Sequence, residues 1–401
     1  MRTATSVART STSRGSAPTR PTRSRAPPAS PPRRRATSRS VLITGGAGFI
    51  GSHLADALLA RGDRVRALDN LAPQVHAGGA RPAYLAAGVE LVVGDVRDAG
   101  AVRRALDGVD AVVHLAARVG VGQSMYEIEE YTSVNDIGTA VLLEALAERP
   151  VAKLVVASSM SIYGEGLYRD ADGREVEPPE RTRAQLEARE WELRGLDPLP
   201  TPERKRPGLS SIYALTKFDQ ERACLVCGAA YGIPTVALRL FNVYGTRQAL
   251  SNPYTGVLAI FASRLLNGHA PRVFEDGLQR RDFVAVRDVA QAFVRALDGD
   301  GADGLAVNVG SGSSATVLEI AERLASATGR PVEAEVTGEA RVGDIRHCFA
   351  DISLAREALG YEPTVAFDDG LAELAAWLED QVAEDRVDAA TGELASRGLT
   401  L

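Results

Sequence analysis

The stretch VLITGGAGFIGSHLADALLARG, residues 41–62, constrains the fold of this chain more than any other. A β-branched apolar run ends in glycines, and a pattern of helical period follows at once. Gly45, Gly48 and Gly51 stand at G-x-x-G-x-x-G spacing across that junction. Glycines there permit a tight turn, a close backbone approach to a pyrophosphate, and close packing of the helix on the strand. The helix N-terminus then faces the phosphate charge. Glycine spacing alone is weak evidence, and its weight depends on what the rest of the chain supplies.

The rest of the chain keeps the same rhythm. Strand-like runs fall at 65–70, 89–95, 110–117, 153–159 and 234–242. Helical patterns fall at 51–62, near 98–107, at about 131–148 and around 212–231. Continuous β-branched strands that alternate with helices predict an α/β fold, a parallel sheet covered on both faces. No repeat of 20–50 residues interrupts it.

Two acids follow the glycine loop at strand ends. Asp69 closes the second strand, where a carboxylate accepts from adenosine ribose hydroxyls and repels a 2′-phosphate. No arginine comes directly after it in Asn70-Leu71-Ala72, so the cofactor is read as NAD rather than NADP. Asp95, in GDVRD, ends the third strand and is placed to hold the adenine amine; a helix N-cap is its plainer alternative.

The reactive groups come later. VVASSMSIYG, residues 155–164, begins as a buried strand and ends in hydroxyls, with no carboxylate. Tyr213 and Lys217 stand as Y-A-L-T-K, one helical face. A nearby ammonium and a cationic nicotinamide both stabilise phenolate, which brings a tyrosine down from roughly 10 toward useful base strength. Y-x-x-x-K is common by chance; after a glycine loop and a serine-tipped strand it reads as functional.

Together TGGAGFIG, GDVRD, HLAA (114–117), VNDIGT, SSMSIYG, YALTK, LRLFNVYG and RRDFVAVRD resemble the extended short-chain dehydrogenase/reductase family, the nucleotide-sugar epimerases and dehydratases. The likeness runs from about Ser40 to about Leu378, with the motifs in the family's order. It implies a doubly wound Rossmann-type NAD domain and a smaller α+β C-terminal domain that grips a nucleoside-diphosphate sugar. It also implies a homodimer built through two helices of the NAD domain. Tyr213 matches the family's proton-shuttling tyrosine, Lys217 its partner and Ser159 the catalytic hydroxyl. The resemblance assigns cofactor contacts to Gly45, Gly48, Phe49, Ile50, Gly51, Asp69, Asn70, Asp95, Val96, Leu115, Ala116 and Ala117. Asn135 would order the loop beside the nicotinamide. Ser159, Ser161, Asn242, Arg281, Arg341 and Asp344 fall at substrate positions, with Phe274 either flanking the base or packed as a core aromatic. Arg281 offers phosphate a planar fork; for Arg341 and Asp344 the alternative is a surface ion pair.

Departures from the family pattern narrow the reaction. Dehydratases place Asp and Glu directly after the catalytic hydroxyl residue, and a decarboxylase places Glu second; here Met160 and Ser161 occupy those places. Loss of water then lacks its acid and base, whereas oxidation and reduction of one carbinol needs only a hydride and a proton. The expected activity is therefore NAD-dependent C4 epimerisation of a dTDP- or UDP-sugar through a 4-keto intermediate. VGVGQSMYEIEEY, VASSMSIYGEG and a long insert suggest a dTDP-L-rhamnose-type substrate. The alternatives are a 4-ketoreductase or dehydratase and, as a minor one, a non-catalytic NAD-sensing protein.

Domain limits follow from composition. Residues 165–210 are charged and Pro-rich, too long for an ordinary connection, and are read as a possible lid or as a floppy insert without a role. The NAD domain covers 39–242, the sugar-binding domain mainly 243–378, and 379–401 is read as a tail. The first 40 residues hold ten Arg and no acid, which fits a disordered segment over 1–38. A transit-like peptide and a basic arm are alternatives, but a misassigned translation start or a functionless tail is favoured. Without those residues the chain carries 36 basic and 52 acidic residues, a balance of −16 that disfavours nucleic acid. No run of about 18 apolar residues suggests a membrane span. Three cysteines argue for a reducing cytoplasm and no metal; Cys224 and Cys227 form C-x-x-C inside a helical run and read as core-facing.

Overall fold

The six strands read from the sequence all join one parallel sheet, and a seventh joins them from beyond residue 300. The structure is a computed structural model that describes residues 38–401; the readings made for the first 37 residues lie outside the described residues. The strands are β1 (Ser40–Thr44), β2 (Arg64–Asp69), β3 (Val89–Val93), β4 (Ala111–His114), β5 (Lys153–Ser159), β6 (Thr235–Leu240) and β7 (Ala306–Val309). Their order across the sheet is β7-β6-β5-β4-β1-β2-β3. The order reverses at β1, so the carboxyl ends of β1 and β4 open a crevice there, where ligands of such sheets bind.

Side chains alternate across the sheet as a period of two requires. Val41 and Ile43 face Leu54 and Leu58 of α1 (Phe49–Ala60) and, later in the chain, Phe293 of the helix Val286–Asp298. Leu42 and Leu68 face the other way. They meet Val102 of α2 (Ala99–Ala105), Leu142 and Leu146 of α3 (Gly138–Glu148), and Cys224 of α4 (Ile212–Tyr231). Cys224 is fully buried, so the C-x-x-C pair packs as core.

Three observations revise the expected boundaries. The long helix expected over 131–148 is three pieces: a turn at Ile128–Thr132, a π-helical segment at Ser133–Ile137, and α3. A π segment widens the helix locally and is frequent at functional sites. Residues 286–298 and 306–309, beyond the limit at 242, return to the NAD sheet, so the second lobe is discontinuous. Its own core joins the helices Val257–Leu266, Val317–Ala327 and Phe367–Leu378. Finally, the expected C-terminal tail folds into a helix, Val387–Ser396, and a short antiparallel pairing of Arg341 with Thr400.

The insert is not floppy. Leu167–Arg169 pairs with Glu175–Val176 and Asp197–Leu199 in a small antiparallel sheet. The helix Arg183–Glu187 starts at a capping box of Thr182 and Gln185. What fastens the insert is charge. Arg346 is completely buried and donates to Glu192, Glu275 and Asp276, while its backbone N–H reaches Glu165 at 2.8 Å. Arg181 of the insert pairs with Glu275 at 2.8 Å and donates to the Asp344 carbonyl at 3.0 Å. His347 accepts at Nδ1 from Arg280 N–H, so its other ring nitrogen carries the proton toward Glu192, 3.0 Å away.

Candidate active site

One cleft of about 630 Å³ collects almost every residue singled out from the sequence. The glycine-loop residues, Asp69, Asn70, Asp95, Val96, Leu115, Ala116 and Ala117 line one part of it. Ser159, Ser161, Tyr213 and Lys217 line the middle, and Asn242, Phe274, Arg281, Arg341 and Asp344 line the second lobe's side. Asn135 alone stands behind the wall, fully buried. No residue of 165–210 lines the cleft; the insert's charges are engaged with residues 344–347.

The glycines divide the labour. Gly45 has φ +70°, and a Cβ there would lie 3.0 Å from the Ala116 nitrogen. Gly51 admits none, since its Cβ would sit 2.5 Å from the Gly45 carbonyl oxygen, so α1 rests directly on the loop. Gly46, which sequence reasoning passed over, is as tightly held: a Cβ would come within 2.6 Å of the Ala67 Cβ. At Gly48 only the Gly45 oxygen, at 3.3 Å, comes near. Gly48 is also the N-cap of α1, and no side chain caps that helix. The result is a cradle of backbone with a free helix terminus, which suits a pyrophosphate.

At the adenosine end, the Asp69 carboxylate accepts from Ala47 N–H at 3.0 Å and Leu71 N–H at 2.9 Å, one on each oxygen. Each oxygen keeps a lone pair for a ribose hydroxyl. Asp95 is clamped by Arg97 through Nε at 2.9 Å and Nη2 at 2.8 Å and accepts from Asn70 at 3.1 Å. The Arg97 hydrogen bonds, working against burial, hold Asp95 down at about 2. The N-cap of α2 is Asp98, which accepts from Gly100 N–H, so the capping alternative does not apply to Asp95. These features fit a dinucleotide with free ribose hydroxyls.

Three elements set the face of the cleft that carries the candidate reacting groups. Ser159 ends β5, and its Oγ accepts from Ser161 N–H at 3.1 Å. Tyr213 sits in the first turn of α4, which Ser211 caps by accepting from Ala214 N–H at 3.1 Å, a cap worth about 1 kcal/mol. The Tyr213 N–H itself donates to Ser124 Oγ at 3.0 Å, from the short helix Val121–Ser124. Its ring meets Tyr131 edge to face at 6.4 Å. Burial raises the Tyr213 phenol above its ordinary value, and the Ser159 hydroxyl opposes that rise. The sequence reading gave the lowering influence to the Lys217 ammonium and a cationic nicotinamide together; here that ammonium donates to Ala157 O at 2.7 Å and to the Gln220 side chain. Burial brings Lys217 down to about 8.

Behind Lys217 lies a buried relay that the motifs did not reveal. Gln220 donates to Thr139 Oγ1 at 2.9 Å and lies 2.9 Å from His114 Nε2, and His114 Nδ1 reaches Thr44 Oγ1 at 2.7 Å. Burial, with the Lys217 charge, lowers His114 to about 3, so the ring is neutral. Asn135 accepts from Arg118 N–H at 2.7 Å and donates to Arg118 O at 3.2 Å and Thr216 Oγ1 at 3.0 Å. It thus ties the loop after β4 to the catalytic helix. Only the i+3 position of Gln220 relative to Lys217 hinted at this arrangement.

On the second lobe, Arg281 already spends three donors on backbone carbonyls, those of residues 280, 345 and 346. Of its five N–H groups two remain for a phosphate, fewer than the open fork expected. Arg341 lies over the Phe274 ring at 4.5 Å and donates to Asp344 at 2.8 Å and 3.1 Å, so the ion-pair alternative describes its state here. Burial works to raise Asp344, but Arg341 and Arg281 outweigh it and hold it below the usual carboxylate range. Among the described residues four carboxylates line the cleft, on Asp69, Asp95, Glu130 and Asp344. Each has a backbone N–H or arginine partner.

The chain is similar in sequence and in fold to known proteins. The profile of the NAD dependent epimerase/dehydratase family matches residues 41–185 and 196–310. A dTDP-L-rhamnose 4-epimerase from Burkholderia thailandensis is 39% identical over 349 residues, 86% of this chain and 96% of that protein. The crystal structure of Thermus thermophilus UDP-glucose 4-epimerase with NAD is 34% identical, with a TM-score of 0.69 over 86% of this chain and 100% of that one. The Thermotoga maritima UDP-glucose 4-epimerase with UDP-glucose superposes with a TM-score of 0.71 at 30% identity, over 85% and 98%.

Proposed function

This chain belongs to the NAD dependent epimerase/dehydratase family as an NAD-dependent nucleotide-sugar epimerase, and we propose that it inverts C4 of a nucleoside-diphosphate hexose through a 4-keto sugar. The observation that carries this reading is the meeting of Ser159, Tyr213 and Lys217 in one cleft where Met160 and Ser161, and no carboxylate, follow Ser159. That leaves no acid–base pair for expelling water, and it leaves what a carbinol oxidation needs.

In this mechanism Tyr213 Oη takes the proton from the sugar O4, with Ser159 Oγ holding that oxygen in place. NAD, which the glycine loop and Asp69 would hold, would supply the hydride acceptor and donor for C4 and would not be consumed. Asn135 fixes the loop at Arg118, and Lys217, held by Ala157 and Gln220, keeps positive charge beneath the site. Arg281 and Arg341 anchor the diphosphate and nucleoside while the keto sugar turns its other face, and Tyr213 then returns the proton to O4. The Burkholderia relative supports a dTDP-6-deoxy-L-hexose such as dTDP-L-rhamnose as substrate. A homodimer completes the proposal: Leu215 and Val226 of α4 are 40% and 57% exposed and lie three turns apart on one face.

The test is to incubate the protein with dTDP-, UDP- and GDP-sugars and read C4 configuration by NMR. Deuterium at C4 stays in the product under this mechanism. Loss of that label to solvent, a product lighter by one water, or stoichiometric use of NADH would each overturn it.

A further inference from the structure

The segment expected to be a tail closes the cleft. Val387, Ala390, Thr391 and Leu394 of the last helix, and Leu399 after it, all line the cavity. All lie outside the residues that the family profile matches. The segment is fastened at two places. At one, Leu394 sits on the helix Val121–Ser124, so close that a Cβ on Gly122 would lie 3.3 Å from it. Nearby, Arg397 stacks over Tyr126 at 4.5 Å. Ser124, two residues on from Gly122, is the group that holds the Tyr213 backbone. At the other place the chain pairs beside Arg341: Val342 N–H donates to Leu399 O at 3.0 Å and Ala340 N–H to Leu401 O at 2.9 Å.

Those two places mark the ends of the space a sugar must fill, between the proton-shuttling tyrosine and the residues that hold the diphosphate. The segment that spans them faces that space with four apolar side chains and one threonine. A hydroxyl turned toward such a wall gives up its water hydrogen bonds without replacement, whereas a methyl loses nothing. We propose that Val387–Leu401 is a wall of the sugar subsite, with Leu394 and Leu399 selecting a hexose that presents a methyl in place of its 6-hydroxyl. This deepens the functional reading above and rests on it.

The experiment uses the NAD-loaded, full-length protein and its Leu394→Asn, Leu399→Asn and Leu394→Ala variants. Calorimetry gives Kd for dTDP, for a dTDP-6-deoxyhexose and for the matching 6-hydroxy sugar, with the UDP series in parallel. The native protein is expected to favour the 6-deoxy sugar by about 10–100-fold, the range one group in an apolar pocket supplies. The asparagine variants are expected to erode that preference about tenfold, and Leu394→Asn, at the tyrosine end of the wall and away from Arg341, is expected to leave nucleotide affinity unchanged. An unchanged preference, or a loss that falls equally on the bare nucleotide, overturns the proposal. If the preference appears but C4 is never inverted, the epimerase reading fails and the wall stands. If C4 is inverted and the variants keep the native preference, the wall fails and the reading stands.

Discussion

The ammonium of Lys217 donates to the carbonyl oxygen of Ala157 at 2.7 Å, two residues before Ser159. That bond fastens the catalytic helix to the strand that carries the hydroxyl. It fixes Tyr213 relative to Ser159 although 54 residues separate them in the chain. The long insert therefore leaves the catalytic geometry untouched, since it leaves and rejoins the fold on either side of this fastening.

Tyr213→Phe keeps the ring against Tyr131 and removes only the proton carrier. Turnover should fall by about 10²–10⁴-fold, the usual contribution of one positioned acid–base group. Bound NAD, released by denaturation and assayed, should remain at the native level. Retained turnover would displace Tyr213 from its role.

The pH profile tests Lys217. Burial pulls its ammonium down to about 8, and Cys224, Glu221 and Asp136 oppose that pull. Burial, and then Asp219, raise Asp136 to about 7, so it is charged where Lys217 titrates. Removing this negative charge in Asp136→Asn lets Lys217 lose its proton at lower pH. The alkaline limb of kcat/KM should move to lower pH, and Asp136→Glu should largely restore it. A limb that stays in place or moves up contradicts the assignment.

Gly48 and Gly51 should respond differently to the same methyl group. Gly51→Ala drives a Cβ to 2.5 Å from the Gly45 carbonyl oxygen, so both thermal stability and NAD content should drop. Gly48→Ala meets little protein, with its nearest neighbour at 3.3 Å, and its φ of −74° suits any residue. It should melt close to the native protein yet bind NAD weakly, because the methyl stands where the pyrophosphate approaches. Equal melting temperatures for the two variants would refute this division.

Arg346→Met removes one of the two buried arginines that pair with Glu275, 1% exposed, leaving only Arg181 to balance it. Breaking one side of such a pair costs about 3–5 kcal/mol. Denaturant titration should show a loss of that order. Arg183→Met, whose pair with Glu187 is exposed, should lose less than about 1 kcal/mol.

Val226→Glu places a charge on the exposed face of α4. Light scattering should find the native protein dimeric and this variant largely monomeric, with NAD still bound. A native monomer would remove the dimer from the proposal.

The sheet and the glycine cradle were legible in the sequence, and so were Ser159, Tyr213 and Lys217 as candidates for the reacting groups. Those features are written in short-range rules: a β-branched run, glycines at a strand–helix junction, and a tyrosine and lysine one turn apart. Each carries its physical reason within a few residues of chain. The tertiary structure alone decided where charge goes. Lys217 is held by Ala157 and Gln220, and Arg281 spends most of its donors on carbonyls of the chain. Arg181 and Arg346 fasten the insert onto residues 344–347. The last fifteen residues, which look like a tail, become a wall of the cleft. Coulomb energy and burial depend on distances between residues that lie far apart in sequence. No local pattern encodes those distances, and only the folded chain sets them.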